Sequence, residues 1–228
     1  MKRITRNRRK GIKVMLIDID LRGKTVLVIG GGRVGERKAA KFLAAGANVV
    51  VAGKDFTETF KQLSFDNKLQ LVAADLEVVP ERIGSLASNA DFVIAATNQP
   101  GLNRRIAEEA KKKRIHANVV DNPHLGDFTM PVISRVGEFH IAISTGGKSP
   151  AMSSFLRKKI EAIISEEDIL MVRLQSYARK FAKAHIPNQR SRKRALYMIM
   201  EDRRIRRLLK KGNFQEAKDL TKRIMEGC

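Results

Sequence analysis

The chain has 228 residues, of which 43% are hydrophobic, so it is long enough to bury one main domain with an accessory one and too apolar for a disordered tail. Its formal net charge of +21 favours anionic partners, which include nucleic acid, anionic lipid and acidic small molecules. No apolar run approaches the roughly 20 residues of a membrane-spanning helix and the N-terminus has no apolar signal segment, so we expect a cytoplasmic protein without a membrane partner.

The first half of the chain alternates short apolar runs with amphipathic stretches. The apolar runs predict five strands, at Thr25–Ile29, Asn48–Ala52, Leu69–Ala73, Asp91–Ala95 and His116–Val119. The stretches between them predict helices that begin near Val34, Glu58, Glu81 and Leu102. Because strands alternate with helices, we expect an α/β fold in which a Rossmann-like parallel sheet carries helices on both faces.

The pattern changes after the fifth strand. Two apolar runs around a Val136–Glu138 turn predict an antiparallel pair of strands. Ser149 is placed as the N-cap of the next helix and Pro150 as its first residue. These elements predict a small strand-and-helix module after the sheet.

The last third of the chain has a purely helical pattern. It runs from Glu166 to the end, with breaks at Pro187 and Gly212, after which Asn213 and Glu216 are expected to cap the last helix. The predicted organisation is a basic N-terminal extension at 1–14, a dinucleotide-binding Rossmann domain at 15–120, the strand-and-helix module at 121–164 and a helical C-terminal region at 165–228.

The first strand runs into a turn that fits the dinucleotide-binding pattern G-x-G-x-x-G. Gly30 permits the tight turn, Gly32 lets the backbone approach a pyrophosphate, and Gly35 allows the helix to pack closely on the strand. The amides of the first helical turn, at Arg33 and Val34, then face the phosphates, where the Arg33 side chain either contacts a phosphate or obstructs its path. The alternative is that the glycines serve only the turn.

Two further strand ends lie on the expected cofactor side. Lys54 and Asp55 follow the second strand, where Asp55 fits the ribose of NAD and Lys54 fits the 2′-phosphate of NADP, so the residues leave this choice open. Thr97 and Asn98 follow the fourth strand at the same edge. The alternative for Asn98 is that it only shapes the turn before Pro100.

Metal-binding side chains are sparse. The single cysteine, Cys228, excludes an intrachain disulfide and a thiolate cluster. The histidines do not have the spacing of metal ligands: they are His116, His124, His140 and His185. We therefore expect no resident metal ion.

Four longer segments follow one another from about Leu16 to Glu161: VLVIGGGRVGERKAAKFLAAGANVVVAG, FVIAATN, ANVVDNPHLGDFTMPVISR and HIAISTGGKSPAMSSFLRKKIE. In their order and spacing they resemble the precorrin-2 dehydrogenase family, the sirohaem synthase N-terminal type. The resemblance implies oxidation of precorrin-2 to sirohydrochlorin with NAD as hydride acceptor, in some members followed by insertion of ferrous iron to give sirohaem. It also implies a homodimer formed through the module after the Rossmann domain.

Asp121 matches the catalytic carboxylate of that family. It directly follows the fifth strand, so we expect it at the carboxyl edge of the sheet, on the nicotinamide side. A positioned carboxylate can take a proton during the oxidation, which makes Asp121 the candidate general base. The alternative is that Asp121 caps the turn at Asn122–Pro123.

The loop STGGKSP also matches the family and opens a helix. Precorrin-2 carries eight carboxylates, so a cleft lined by Lys and Arg would orient it, which gives the basic charge a rationale. The candidate substrate-binding residues are Ser144, Thr145, Gly146, Gly147, Lys148 and Ser149. The alternative for this loop is simple capping of its helix.

Two other classes of function compete with an enzyme. One is a non-catalytic nucleotide sensor built on the Rossmann unit, against which the segments NVVDNP and STGGKSP argue. The other is a nucleic-acid module in the basic C-terminal helices, where two tyrosines and no tryptophan provide little stacking surface, so no nucleic-acid partner is expected. The basic residues before Met15 are either a flexible arm or the result of an upstream start codon.

Overall fold

A computed structural model of the chain describes residues 15–227 and divides them into two compact units, one up to Met130 and one from Pro131. The predicted basic extension at 1–14 lies outside the described residues. Residues 121–130 pack within the first unit, where the Asn118 side chain donates to the Phe128 carbonyl oxygen and the Asp127 amide donates to the Ala117 carbonyl oxygen.

The first unit is a five-stranded parallel sheet with the order β3-β2-β1-β4-β5. Its strands are β1 Thr25–Ile29, β2 Asn48–Gly53, β3 Gln70–Ala73, β4 Phe92–Ala95 and β5 His116–Val119. Its helices are α1 Arg33–Ala44, α2 Glu58–Phe65, α3 Arg82–Ala87 and α4 Pro100–Lys112. The predicted Rossmann-like sheet is confirmed. The strand order reverses between β1 and β4, and ligands of such sheets bind at that point of the carboxyl edge.

The strands are apolar because helices cover both faces of the sheet. One face, with Leu27 and Ile29, packs against α3 and α4, and the other, with Val26 and Val28, packs against α1 and α2. Helix α4 begins two residues before the predicted Leu102, because Pro100 has the fixed φ that suits a first helical position.

The second unit begins with the predicted hairpin, β6 Val132–Val136 and β7 Phe139–Ile143, followed by α5 Pro150–Glu161. The Ser149 hydroxyl accepts a hydrogen bond from the Met152 amide, so the predicted N-cap is confirmed. The buried Ser134 hydroxyl donates to the Glu161 carboxylate, which also pairs with Arg157 at 2.7 Å. These two bonds lower the pKa of Glu161, with the Ser134 bond the larger cause.

Four helices complete the second unit: α6 Glu166–His185, α7 Gln189–Glu201, α8 Arg203–Lys210 and α9 Phe214–Glu226. They share a separate apolar core that includes Leu174, Ile199, Ile205 and Leu209. No helix within residues 15–227 combines the length and the apolar character needed to cross a membrane.

The ends of these helices depart from prediction at two places. An unpredicted break separates α7 from α8, where the Asp202 carboxylate caps α8 by accepting from the Arg204 and Ile205 amides. Asn213 is at the N-cap position of α9, but its side chain makes no capping bond and instead donates to Glu216 at 2.8 Å. The prediction therefore places Asn213 correctly at the N-cap position, but the expected capping hydrogen bond from its side chain is wrong.

Candidate functional site

The glycine turn after β1 has the conformation that the sequence predicts. Gly30 has φ +124°, which favours glycine, and a β-carbon there would overlap the Ala96 carbonyl group at the end of β4. A β-carbon at Gly35 would overlap the Gly30 carbonyl oxygen. The turn therefore brings α1 against the first strand and its neighbour at the carboxyl edge.

Gly32 differs from these two glycines because the space in front of it is open. It has extended backbone angles at the N-cap of α1, and a β-carbon there would have no heavy atom within 4 Å. Arg33 is exposed at the first helical position, and Val34 is half-buried against the core. An open helix N-terminus is the geometry that suits a phosphate, so the residues present fit a dinucleotide.

A third glycine, Gly31, was not singled out by the sequence motif. A β-carbon there would overlap the Asp55 carbonyl oxygen, and the Thr57 amide donates to the Gly31 carbonyl oxygen at 3.1 Å. Gly31 thus lets the loop after β2 lie directly on the glycine turn. The signal in the sequence is the run of three successive glycines.

Lys54 and Asp55 lie at the end of β2. The Lys54 ammonium group pairs with the Asp75 carboxylate at 3.3 Å and lowers the pKa of Asp75, mainly through this hydrogen bond. Asp55 is exposed at the same edge. Lys54, the cation that could bind a 2′-phosphate, is therefore paired with the Asp75 carboxylate.

A hydrogen-bonded network joins the end of β4 to the end of β5 through Asn103, a fully buried residue of α4. The Asn103 Oδ1 atom accepts from the Thr97 amide at 3.1 Å and from the Thr97 hydroxyl at 2.7 Å. The Asn103 Nδ2 atom donates to the Thr97 carbonyl oxygen at 3.1 Å and to Asp121 Oδ1 at 2.9 Å. Two predicted site residues, Thr97 and Asp121, are thus brought together, whereas Asn98 is exposed in the adjoining turn.

Sequence reasoning missed Asn103. Its signal is an amide at an inward-facing position of α4, in the helical series with Ile106, Ala107 and Ala110. A buried amide among apolar neighbours needs hydrogen-bond partners, which points to polar groups nearby.

The turn-capping role considered for Asp121 belongs to its neighbour. The Asn122 side chain accepts from the His124 amide at 3.3 Å and caps a short 3₁₀ turn at Pro123–Leu125. The other acid of this loop, Asp127, accepts from the Ala117 amide at 3.1 Å. Asp121 is exposed, so its carboxylate is accessible as well as held by Asn103.

The loop from Ser144 to Ser149 belongs to the second unit. Gly146 and Gly147 have φ of +62° and +79°, which makes the tight turn. The Gly146 amide donates to the Ser144 hydroxyl and the Ser149 amide to the Thr145 hydroxyl, at 3.1 and 3.0 Å. Because Ser149 also caps α5, the capping alternative is present, and the exposed Lys148 is the loop's freely accessible charge.

Within residues 15–227, no three His, Cys, Asp or Glu side chains come together as metal ligands.

Comparison with known proteins agrees with this geometry. An NAD(P)-binding family model matches residues 17–132, and a model of the central part of sirohaem biosynthesis proteins matches residues 141–163. The precorrin-2 dehydrogenase of Methanosarcina barkeri is 37% identical over 184 residues, which are 80% of this chain and 81% of that protein. The chain belongs to the precorrin-2 dehydrogenase family.

Other relatives of this chain are longer proteins. Siroheme synthase 2 of Klebsiella pneumoniae is 33% identical over 205 residues, which span 90% of this chain and 44% of that protein. The chain therefore spans less than half of that relative. A solved structure named SirC, precorrin-2 dehydrogenase, covers 90% of this chain and 99% of its own with a TM-score of 0.66 at 21% identity, which shows a shared fold.

Proposed function

We propose that this chain oxidises precorrin-2 to sirohydrochlorin with NAD as hydride acceptor. The observation that carries the proposal is the network Thr97–Asn103–Asp121, which holds an accessible carboxylate beside the cofactor edge of the sheet in a chain of this family. A nucleotide sensor would only need to bind the nucleotide at the carboxyl edge of the sheet, and it would not require a carboxylate that takes a proton from a substrate.

NAD, when bound, supplies the nicotinamide ring that accepts a hydride from the substrate. The open helix N-terminus at Gly32, with the amides of Arg33 and Val34, holds the pyrophosphate. Asp55 would accept from the ribose hydroxyls and would repel a 2′-phosphate, which favours NAD over NADP.

Asp121 acts as the general base in this proposal. Dehydrogenation removes two hydrogens from the tetrapyrrole, one as a hydride to NAD and one as a proton. Asp121 accepts the proton on an accessible carboxylate oxygen, while Asn103 holds the carboxylate in place. The loop from Ser144 to Ser149 receives one substrate carboxylate, chiefly through the exposed Lys148, and the net charge of +21 attracts the polyanionic substrate.

Anaerobic incubation with precorrin-2 and NAD tests this function. We expect NADH absorbance to rise together with the spectrum of sirohydrochlorin, and a purified wild-type chain that produces neither contradicts the proposal. Asp121→Asn keeps the size and is expected to leave NAD affinity unchanged while lowering the oxidation rate by about 10²–10⁴-fold. An Asp121→Asn rate equal to wild type would refute the base assignment while leaving the reaction standing.

We also propose a homodimer formed through the module that contains the hairpin and α5. The supporting observation is an exposed apolar stripe on α5, where Met152 and Phe155 are 45% and 60% exposed. A two-stranded sheet is marginally stable alone and has unpaired edges, so a partner module would complete it.

We further propose that the protein is located in the cytoplasm, which is consistent with its single cysteine in 228 residues.

Insertion of ferrous iron is a second candidate activity. It is supported by the match of residues 141–163 to the sirohaem biosynthesis model and by the siroheme synthase relatives. The tetrapyrrole nitrogens would be the main iron ligands, with Asp121 as the acceptor of their protons. The test is sirohydrochlorin with ferrous iron, with and without the enzyme, and a rate equal to the uncatalysed one removes this activity.

A further inference from the structure

Asn103 uses every hydrogen-bonding group of its side chain on two strand ends. Its Oδ1 atom accepts two bonds from Thr97, and its Nδ2 atom donates one bond to Thr97 and one to Asp121. An asparagine side chain has two N–H donors and an oxygen with two lone pairs, so the set is complete. With no exposed surface, Asn103 has no bond to water as an alternative.

The partners of Asn103 have different duties. Thr97 follows β4, where the cofactor is expected, whereas Asp121 follows β5 and is the proposed base. A single side chain therefore sets the position of the cofactor loop and of the base. The Asn103 amide donates to Asp121 Oδ1, so a buried residue of α4 sets the orientation of the exposed carboxylate.

We propose that Asn103 is a positioning residue of the oxidation, which holds the Asp121 carboxylate in fixed register with the Thr97 loop. This inference rests on the proposed function, since it assumes that Asp121 takes the proton. The rest of the α4 face fills the core with apolar groups such as Ile106, so the helix is a rigid support for the amide. A carboxylate displaced from its productive position by about 1 Å is expected to cost on the order of 10²-fold in rate.

The variant Asn103→Leu tests the proposal because it keeps a similar size but removes both donors. We expect its kcat to fall by about 10–100-fold with the KM for precorrin-2 changed by less than about threefold. Loosening of the Thr97 loop is expected to weaken NAD binding in calorimetry.

A matched control separates positioning from stability. Ile106→Val changes a fully buried residue one turn further along α4, and it is expected to lower the melting temperature without lowering the kcat of the folded protein. If Asn103 were only structural, Asn103→Leu would behave in the same way once rates are corrected for the folded fraction. That result would overturn the inference.

The double variant Asn103→Asp with Asp121→Asn exchanges the amide and the carboxylate. It re-forms their hydrogen bond in the opposite direction, so it is expected to melt at a higher temperature than Asn103→Asp alone while remaining as inactive as Asp121→Asn. Equal melting temperatures of the two Asn103→Asp proteins would show that the pair is not coupled and would overturn the inference. Wild-type inactivity overturns the proposed function as well, whereas an active wild type whose kcat is unchanged in Asn103→Leu overturns the inference alone.

Discussion

Gly32→Asp is expected to separate folding from cofactor binding, because it leaves the stability of the fold unchanged or slightly higher but weakens the binding of NAD. Gly32 has φ −84° and ψ −178°, an extended conformation that any residue adopts, and open space where the side chain would go. Aspartate is also a favourable N-cap residue, worth a few tenths of a kcal/mol over glycine. The melting temperature is therefore expected to stay the same or to rise slightly.

The same carboxylate would take the place of a cofactor phosphate at the N-terminus of α1. Two unit charges about 4 Å apart repel by about 4 kcal/mol at an effective dielectric constant of 20 and by about 1 kcal/mol in bulk water. The first value corresponds to about 10³-fold weaker NAD binding, and the second to about fivefold. Because Gly32 is exposed and faces open space, we expect a loss between these two limits, from about fivefold to about 10³-fold.

The assay is calorimetric titration with NAD alongside thermal unfolding, with Gly32→Asn as the matched neutral variant. Asparagine has nearly the same shape, so any excess loss in Gly32→Asp measures the charge. A folded Gly32→Asp protein that binds NAD as tightly as wild type would refute the placement of the phosphates at this helix.

Three further predictions concern stability and assembly. Gly35→Ala is expected to lose about 1–3 kcal/mol of unfolding free energy in urea titration, because its β-carbon overlaps the Gly30 carbonyl oxygen; an unchanged midpoint contradicts the helix–strand contact. Phe155→Glu is expected to give a mass near 25.6 kDa in light scattering where wild type gives twice that value, and a wild-type monomer rules out the dimer. Asp91 accepts from the Thr25 amide and from Lys24, which lower its pKa in that order, so its contribution is present above about pH 4 and is lost as the pH falls further. Asp91→Ala is therefore expected to cost about 1 kcal/mol or less at pH 7 in urea titration, with the difference from wild type shrinking as the pH falls below about 4, and a difference that does not change with pH argues against the ion pair.

The sheet was accessible from the sequence because its strands are buried on both faces. Such strands read as continuous apolar runs, and β1 and β5 have the predicted bounds. The glycine turn was equally predictable, since its motif is local and each glycine has a steric reason. The Ser149 cap was predictable for the same reason, because an N-cap depends on a few neighbouring residues.

What the sequence did not predict depends on contacts between distant segments. The hydrogen bond from Asn103 to Asp121 joins helix α4 to the segment after β5, and no pattern of neighbouring residues predicts that these two side chains meet. The break at Asp202 lacks glycine and proline, so the α7–α8 stretch reads as one helix. The Asn213 side chain bonds to the Glu216 carboxylate rather than to the backbone amides of α9. Both partners are close in the chain, so residue spacing alone does not predict which of them it binds.

The contact between Gly31 and the loop after β2 limits how the cofactor preference of this fold can be redesigned. Since the Thr57 amide is bonded to Gly31 and the Asp55 backbone lies on it, the phosphate turn and the ribose end form one rigid frame. Side chains at positions 54 and 55 can be exchanged within that frame, for example to recruit a 2′-phosphate. An insertion between positions 54 and 57 would instead displace the turn itself and weaken binding of both cofactors together. A library for altered specificity should therefore vary residue identity and keep the length of this loop.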